Sequence, residues 1–229
     1  MESQVMEALT DLTENPRISY TSPNGYIKTH CVSQDGRVVI ADYQGMKIID
    51  GDYVEDRPTG NTSVNLVARL DVPEWIHPYD VSARFVRQAN AFGRGRPVVQ
   101  RVGDLRRLRA TSPSSLKDLA LVPSLNDCMA GNLAELLSYK YGVLANEFLS
   151  RIGSVVPGFD RDENLMYGPF VEWWMRKVEV GRTFMTALPG LYAIGDGAGM
   201  SQGIVAAGMQ GIACARGIYE NACALHRII

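Results

Sequence analysis

One stretch near the C-terminus constrains the fold more than any other, residues 190–211, which read GLYAIGDGAGMSQGIVAAGMQG. A short apolar run leads into a Gly-Asp-Gly turn, and a predicted helix that contains several glycines follows. A glycine inside a helix costs ~1 kcal/mol relative to alanine, so something must lie close enough to this helix to require glycine. The unit resembles the strand, turn and helix of a parallel α/β sheet, but a lone strand cannot form a sheet. We therefore expect the neighbouring strands to come from elsewhere.

The small residues of the predicted helix, residues 201–222, define one face. Gly203, Ala207, Gly211 and Ala215 recur every four residues and so lie along one stripe. Such a stripe admits a flat ligand or another backbone, and helix–sheet packing or a helix dimer explains it as well. The start of the helix adds N–H groups and a partial positive charge that favour an electron-rich ligand group. Asp196, at the end of the strand, is placed to accept hydrogen bonds from ligand hydroxyls.

The first half of the chain is rich in strand signals. Asp35-Gly36 lies between two β-rich runs and predicts a hairpin that pairs residues 26–32 with residues 37–41. A second strand pair is predicted within residues 46–70, with 63–70 the clearest member. Further strands are predicted at 97–102 and 190–195, and within 165–180.

Two longer segments have apolar residues at helical spacing, residues 79–92 and 132–152. We therefore expect an α+β fold in which a mixed or antiparallel sheet, built from residues 18–102 and 165–180, packs against these helices. The final strand and helix would form a separate segment.

Composition narrows the classes of function. The chain has 229 residues and a net charge of −2 without a long run of one sign, which argues against nucleic acid as a principal partner. It contains no run of 18 apolar residues and begins without an apolar signal core, so we predict neither a membrane span nor a secretory signal. Four cysteines without a Cys-x-x-Cys pair, and three histidines without ligand spacing, predict no metal site and a reducing, cytoplasmic setting.

The C-terminal sequences GLYAIGDGAG and GIVAAGMQGIACARGI resemble the flavin-binding segment of FAD-dependent oxidoreductases with two dinucleotide-binding domains. Upstream blocks, among them YIKTHCVSQDGRVV and NTSVNLVARL, are similar in the same order to the C-terminal half of a group of poorly characterised FAD-dependent dehydrogenases. The resemblance implies that the Asp196 carboxylate accepts hydrogen bonds from FAD hydroxyls and that N–H groups at the helix start face the flavin ring. The residues it assigns to cofactor binding are Gly195, Asp196, Gly197, Ala198, Gly203, Ile204 and Val205.

A complete member of that family would also contain a Gly-x-Gly-x-x-Gly unit that holds the FAD pyrophosphate, and these 229 residues contain none. The resemblance thus implies a substrate-side domain at residues 1–182 and the last strand and helix of an FAD-binding domain at 183–229. We expect the chain alone to bind FAD weakly or not at all, to be inactive, and to need the N-terminal FAD-binding half as a partner. A homodimer through the exposed strand 190–195 is a further expectation.

The activity implied is hydride transfer by FAD with a small-molecule substrate that the sequence does not name. The alternative is a non-catalytic binding or assembly module that keeps a flavoprotein-derived fold. Arg106, Arg107 and Arg109 either bind an acidic substrate or the phosphate of NAD(P), or form an exposed basic loop.

Cys31, in the sequence KTHCVSQDG, is a candidate catalytic residue. The resembled family carries cysteine in this segment, often followed by proline, where this chain has Val32 and Ser33. A thiol near flavin would be able to act as a redox or nucleophilic group. The alternative is a small buried strand residue. His30 would point to the opposite face of a regular strand, so a Cys–His pair is not predicted.

Overall fold

The structure is a computed structural model that describes residues 17–52, 58–73, 75–117, 119–172, 177–201 and 203–226. For residues 224–226 it describes the backbone alone. Expectations for residues 1–16 and 173–176 lie outside these ranges. The chain divides into two compact units, Met1–Val171 and Glu172–Ile229. The sequence-based boundary at residue 182 therefore falls inside the second unit.

The first unit contains the strands and all but one of the helices in the described ranges. Its strands are β1 (Ser19–Ser22), β2 (Gly25–Ser33), β3 (Arg37–Tyr43), β4 (Met46–Asp52), β5 (Ser63–Ala68), β6 (Val98–Arg101), β7 (Met129–Ala130) and β8 (Leu165–Gly168). Its helices are α1 (Pro78–Phe92), α2 (Val102–Arg106), α3 (Leu133–Leu136) and α4 (Tyr139–Gly153). The second unit contains α5 (Ile204–His226).

The strands form three small sheets rather than one. The first has the order β1–β2–β5 and is antiparallel, and the second is the β3–β4 pair. The third has the order β7–β6–β8, in which β6 runs parallel to β7 and antiparallel to β8. The mixed α and β content agrees with the predicted fold class, whereas the prediction of a single sheet is wrong.

The predicted hairpin at Asp35-Gly36 is also wrong, although both of its strands exist. β2 pairs with β1 and β5, and β3 pairs with β4 across the two-residue turn Gln44-Gly45. Both turn residues have positive φ angles, 53° and 77°, as in the turns that match the twist of a two-stranded ribbon. Asp35 instead connects two sheets, and its Oδ1 accepts a hydrogen bond from Gly60 N at 2.8 Å.

The two predicted helices of the first unit are present, but one is interrupted. α1 confirms the helix at 79–92, with Pro78 in its first turn and the His77 side chain accepting a hydrogen bond from Tyr79 N. The helix predicted at 132–152 is divided into α3 and α4, because Leu137 and Ser138 adopt extended backbone angles. Asn132 caps α3 by accepting a hydrogen bond from Ala134 N at 3.1 Å.

The core of the first unit lies where α4 packs against the first sheet. Leu144, Phe148 and Leu149 of α4 are fully buried and belong to the same cluster as Ile27 of β2 and Leu105 of α2. Burial of each large apolar side chain contributes about 1.5–3 kcal/mol. This cluster therefore fixes α4 against the sheet that carries His30 and Cys31.

The second unit lacks the strand predicted at 190–195. Its described residues contain one isolated antiparallel bridge, between Tyr192 and Met185, and Leu191 and Ile194 are 51% and 38% exposed. A parallel-type strand requires neighbouring strands to accept its backbone hydrogen bonds, and the described part of this unit supplies no such strand. This segment bonds instead to residues 184–186, where Phe184 O accepts from Ala193 N at 3.1 Å and Thr186 N donates to Leu191 O at 2.8 Å. The helix predicted at 201–222 is confirmed as α5. None of the helices in the described ranges has both the length and the apolar character needed to cross a bilayer.

Candidate functional site

The Gly-Asp-Gly turn adopts a geometry that depends on glycine at two positions. Gly195 has a φ of 80° and Gly199 a φ of 69°, both in a region that L side chains rarely adopt. Between them residues 196–198 form one turn of 3₁₀ helix, closed by a hydrogen bond of 2.8 Å from Gly199 N to Asp196 O. Ala198 is buried, while Asp196 and Gly197 are exposed. The predicted acceptor carboxylate therefore lies on the outside of the turn.

Gln210 joins this turn to α5. Its Oε1 accepts a hydrogen bond from Gly195 N at 2.9 Å, and its Nε2 donates one to Met200 O at 2.8 Å. The side chain thus holds both ends of residues 195–200 against the helix that follows them. This role of Gln210 was not predicted from the sequence, although an amide in a helix otherwise rich in small and apolar residues is a visible signal.

The surface around the turn and the start of α5 is free of bulk. A Cβ atom built on Gly195, Gly197 or Gly203 would meet no described atom within 4 Å, and the same holds for Gly208 and Gly211 of α5. At the start of the helix, Ile204 and Val205 are 91% and 77% exposed. Apart from the buried Ala198, the predicted cofactor-binding residues thus border an open surface.

One glycine of α5 has a different role. A Cβ atom on Gly217 would come within 2.7 Å of the Thr183 Cβ, so this glycine allows the helix to pack against residues 181–186 of its own unit. Internal packing therefore explains Gly217, and a φ of 88° explains Gly203, whereas neither reason applies to Gly208 or Gly211.

The outward face of α5 is strongly apolar. Met209, Ile212 and Tyr219 are exposed, together with Ile204 and Val205 at the start of the helix. A run of exposed apolar side chains of this kind marks a surface that another group covers. The described second unit does not itself cover this face.

Cys31 lies in a β-bulge, where the structure brings it to its neighbour His30. The register of β2 on β5 passes from His30–Asn65 directly to Val32–Val64, so Cys31 is the extra residue, with a φ of 46°. Its Sγ lies 2.9 Å from His30 Nδ1. The expectation that the two side chains point apart is wrong, because it assumed a regular strand. The alternative of a buried strand cysteine is wrong as well, because Cys31 is exposed.

His30 is itself buried, and its pKa is lowered from the usual value, first by desolvation and then by the charges of Arg17 and Lys28. A lowered pKa leaves the imidazole neutral near pH 7, with one ring nitrogen able to accept a hydrogen bond from the thiol. The pair therefore consists of an exposed thiol and a buried neutral base.

The predicted basic loop carries its own counter-charges. Arg106 lies 2.6 Å from Asp160 and 3.2 Å from Asp162, and Arg107 lies 2.8 Å from Asp162. Arg109 Nε donates to the buried Asp104 at 2.7 Å. An acidic substrate or a nucleotide phosphate would have to displace these carboxylates.

A cavity of about 170 Å³ lies within the first unit. Its lining is mostly apolar and includes Val38, Ile49, Leu66, Met166 and Phe170. Tyr167 also lines it and donates a hydrogen bond of 3.4 Å to Leu125 O, while burial raises the pKa of its phenol.

Neither metal-binding clusters nor disulfides occur in the part of the chain that the structure describes. No group of three His, Cys, Asp or Glu side chains there is arranged to hold a metal ion, and none of the four cysteines forms a disulfide. Comparison of the chain with models of known protein families and with curated proteins finds no match.

Proposed function

We propose that residues 183–229 supply one side of the flavin site of an FAD-dependent oxidoreductase. The observation that carries the proposal is the surface free of bulk at Gly195, Gly197 and Gly203, beside the first turn of α5. Within α5 itself, Gly208 and Gly211 leave the same space at a cost of ~1 kcal/mol each, which is consistent with a flat ligand that lies against them.

In this proposal Asp196, which is exposed in the turn, accepts hydrogen bonds from FAD hydroxyls. Gly195, Gly197 and Ala198 shape the turn, and the N–H groups of Gly203, Ile204 and Val205 face the flavin ring. The first N–H groups of a helix have no partner within the helix, and they stabilise negative charge on a ligand. Bound FAD would accept or donate a hydride, and the protein would orient it toward a small-molecule substrate.

The proposal includes a partner, an FAD-binding half with a Gly-x-Gly-x-x-Gly unit. The exposed apolar face of α5 supports this, because a helix in an α/β domain normally packs against a sheet. Without that partner the chain would bind FAD weakly and be inactive. We place the protein in the cytoplasm, where its four free thiols would persist. NAD(P) as the second redox partner is part of the proposal for the complete enzyme.

A non-catalytic assembly module is the second candidate. The same exposed apolar face of α5 favours it, since such a face also serves for association with another protein. In that case the open turn at residues 195–199 would have no ligand.

The test is a titration of FAD into the chain, alone and together with the FAD-binding half, followed by flavin fluorescence and absorbance. We expect stoichiometric flavin only in the presence of that half, and a loss of affinity in Asp196→Ala. Asp71→Ala, an exposed carboxyl of the first unit, is the matched control. Stoichiometric flavin on the chain alone would contradict the need for a partner. Absence of flavin in both samples would favour the assembly module.

A further inference from the structure

Beyond the proposed flavin site, we propose that Cys31 and His30 form a thiol–disulfide exchange site for anionic, low-molecular-weight disulfides. The inference rests on residues of the first unit and does not depend on flavin. Its geometric basis is the distance of 2.9 Å between Cys31 Sγ and His30 Nδ1, which places a nucleophile and a base within hydrogen-bonding reach.

The bulge explains why two adjacent residues of a strand can form this pair. In a regular strand their side chains would project from opposite faces. Here Cys31 has a φ of 46° and has no partner position on β5, so its side chain turns back toward His30. The pairing of His30 with Asn65 and of Val32 with Val64 fixes the backbone on both sides. The sheet therefore holds the thiol beside the imidazole.

The burial of the two side chains differs in the way that an exchange site requires. Cys31 is exposed, so a disulfide in solution has access to its sulfur. His30 is 8% exposed and lies in a sheet that packs on α4. A thiol pointing outward from a fixed base is the arrangement of reactive cysteines, whereas structural cysteines are buried and inert.

The charges around the pair favour an anionic partner. Among the described residues, Arg17 and Lys28 are the charged groups that act on His30, and the facing positions on β5 are the uncharged Asn65 and Val64. Positive charge favours the thiolate form of a neighbouring cysteine. It also attracts a disulfide that carries carboxylates.

The exchange step balances without a further reactant. As Cys31 Sγ attacks one sulfur of the disulfide, its proton passes to His30 Nδ1, and a new S–S bond to the protein forms. The original S–S bond breaks, and the departing sulfur takes the proton from Nδ1 and leaves as a thiol. Cys31 is oxidised to a mixed disulfide while the small disulfide is reduced to one free thiol.

Two aliphatic disulfides of opposite charge provide the test, the dianionic 3,3′-dithiodipropionate and the dicationic cystamine. Each is mixed with the full chain at low ionic strength, and the modified cysteines are identified over time by peptide mass spectrometry. Cys128 and Cys223 are internal controls, since both are half-buried. We expect Cys31 to react with the anionic reagent at least about tenfold faster than either control at pH 7. We also expect a preference for the anionic over the cationic reagent that shrinks in salt.

The variant His30→Gln separates an assisted thiol from one that is only exposed. We expect a loss of about tenfold or more in the rate of Cys31 at pH 7, since this is the usual scale of general-base assistance. Lys28→Gln should weaken the preference for the anionic reagent and leave a fast reaction. An unchanged rate in folded His30→Gln would overturn the proposal, as would equal rates at Cys31 and Cys128.

If His30→Gln does not fold, the test is the rate of Cys31 modification in the unaltered chain, measured as a function of pH. An unassisted cysteine gains reactivity up to a midpoint of about pH 8.5, as its thiolate fraction rises. We expect the midpoint for Cys31 to lie clearly below this value. A midpoint at or above about 8.5 would overturn the proposal.

Discussion

The backbone N–H of Gly195 donates a hydrogen bond of 2.9 Å to the side-chain oxygen of Gln210, fifteen residues later in the chain. The side-chain nitrogen of Gln210 in turn donates a hydrogen bond of 2.8 Å to Met200 O. One side chain of α5 therefore satisfies two backbone groups of the turn that precedes the helix. The turn and the helix are in this way a single preorganised element, on which the proposed flavin site depends.

We predict that Gln210→Ala loosens the turn at residues 195–200. The substitution leaves two backbone groups without their partner, at a cost of about 1 kcal/mol or more. Amide hydrogen exchange at residues 195–203 should accelerate, while exchange in the first unit stays unchanged. Gln88→Ala, at an exposed position of α1, is the matched control. Unaltered exchange at Gly195 would contradict the assigned role of Gln210.

Two glycines of α5 should respond in opposite ways to alanine. In Gly211→Ala the new methyl group meets no described atom, so we expect the chain alone to gain up to about 1 kcal/mol of helix stability. In Gly217→Ala the methyl group meets Thr183, and we expect a loss of about 1–3 kcal/mol. Thermal unfolding of both variants measures the difference. If flavin lies on the stripe, Gly211→Ala should also reduce FAD affinity in the complete enzyme.

Gln100 is a second buried amide whose loss should be costly. Its side chain is fully buried, donates to Arg109 O at 2.8 Å and to Asn132 Oδ1 at 3.0 Å, and accepts from Leu133 N at 2.8 Å. Gln100→Leu would leave these groups unsatisfied, and we expect the free energy of unfolding to fall by about 2–3 kcal/mol. Denaturant unfolding provides the measurement. Gln88→Leu, at an exposed site, should change stability by less than about 0.5 kcal/mol.

The first unit should lose stability in acid through Asp104. Burial alone would raise the pKa of this carboxyl, but hydrogen bonds from Arg109 and Thr111, with the charges of Arg109 and Arg101, lower it below its usual value. A carboxyl with a lowered pKa in the folded state stabilises the fold above its unfolded pKa of about 3.9. That contribution is lost as the pH falls through the folded value.

Asp104→Asn tests this linkage. We expect the variant to be less stable than the unaltered chain at pH 7, with a shallower decline of unfolding free energy below about pH 4. Asp127→Asn, an exposed carboxyl on a loop, is the control. Parallel acid-unfolding curves for Asp104→Asn and the unaltered chain would show that the decline has another origin.

The apolar face of α5 should cause the chain to self-associate when it is studied alone. Met209 and Ile212 are both exposed, and a charge at either position would oppose the burial of this face. We expect Met209→Glu to shift sedimentation toward the monomer, and Leu191→Glu to do so only if residues 190–195 form the contact. Arg216→Glu, a polar exchange on the same helix, controls for the change of charge.

Helices and strands were predictable from the sequence where the signals were local. The apolar spacing of residues 79–92 and the run at 63–70 correspond to α1 and β5. Sheet pairing was not predictable, because Asp35-Gly36 and Gln44-Gly45 both permit a tight turn and only tertiary packing chooses between them. The interruption of the helix at Leu137 and Ser138 was missed for a related reason, since leucine and serine at these positions carry no strong breaker signal.

The candidate sites were likewise predictable only where the signal was local in sequence. The Gly-Asp-Gly turn was predictable because Gly195 and Gly199 adopt positive φ angles, and glycine is the residue that such angles favour. The contact between Cys31 and His30 was not visible, because a bulge depends on the register of two strands that are distant in sequence. The role of Gln210 likewise requires knowing which helix face meets the turn.

The bulge in β2 has a consequence for chain length. Because His30 and Val32 pair with adjacent residues of β5, removal of Cys31 alone would leave an uninterrupted ladder with every other pairing intact. Single-residue deletions inside a strand usually shift all following side chains to the wrong face. Here the deletion would restore the regular alternation, and it would also remove an unfavourable backbone conformation. Cys31 therefore behaves as an inserted residue, and a chain shortened by this one position is expected to fold while losing its exposed thiol.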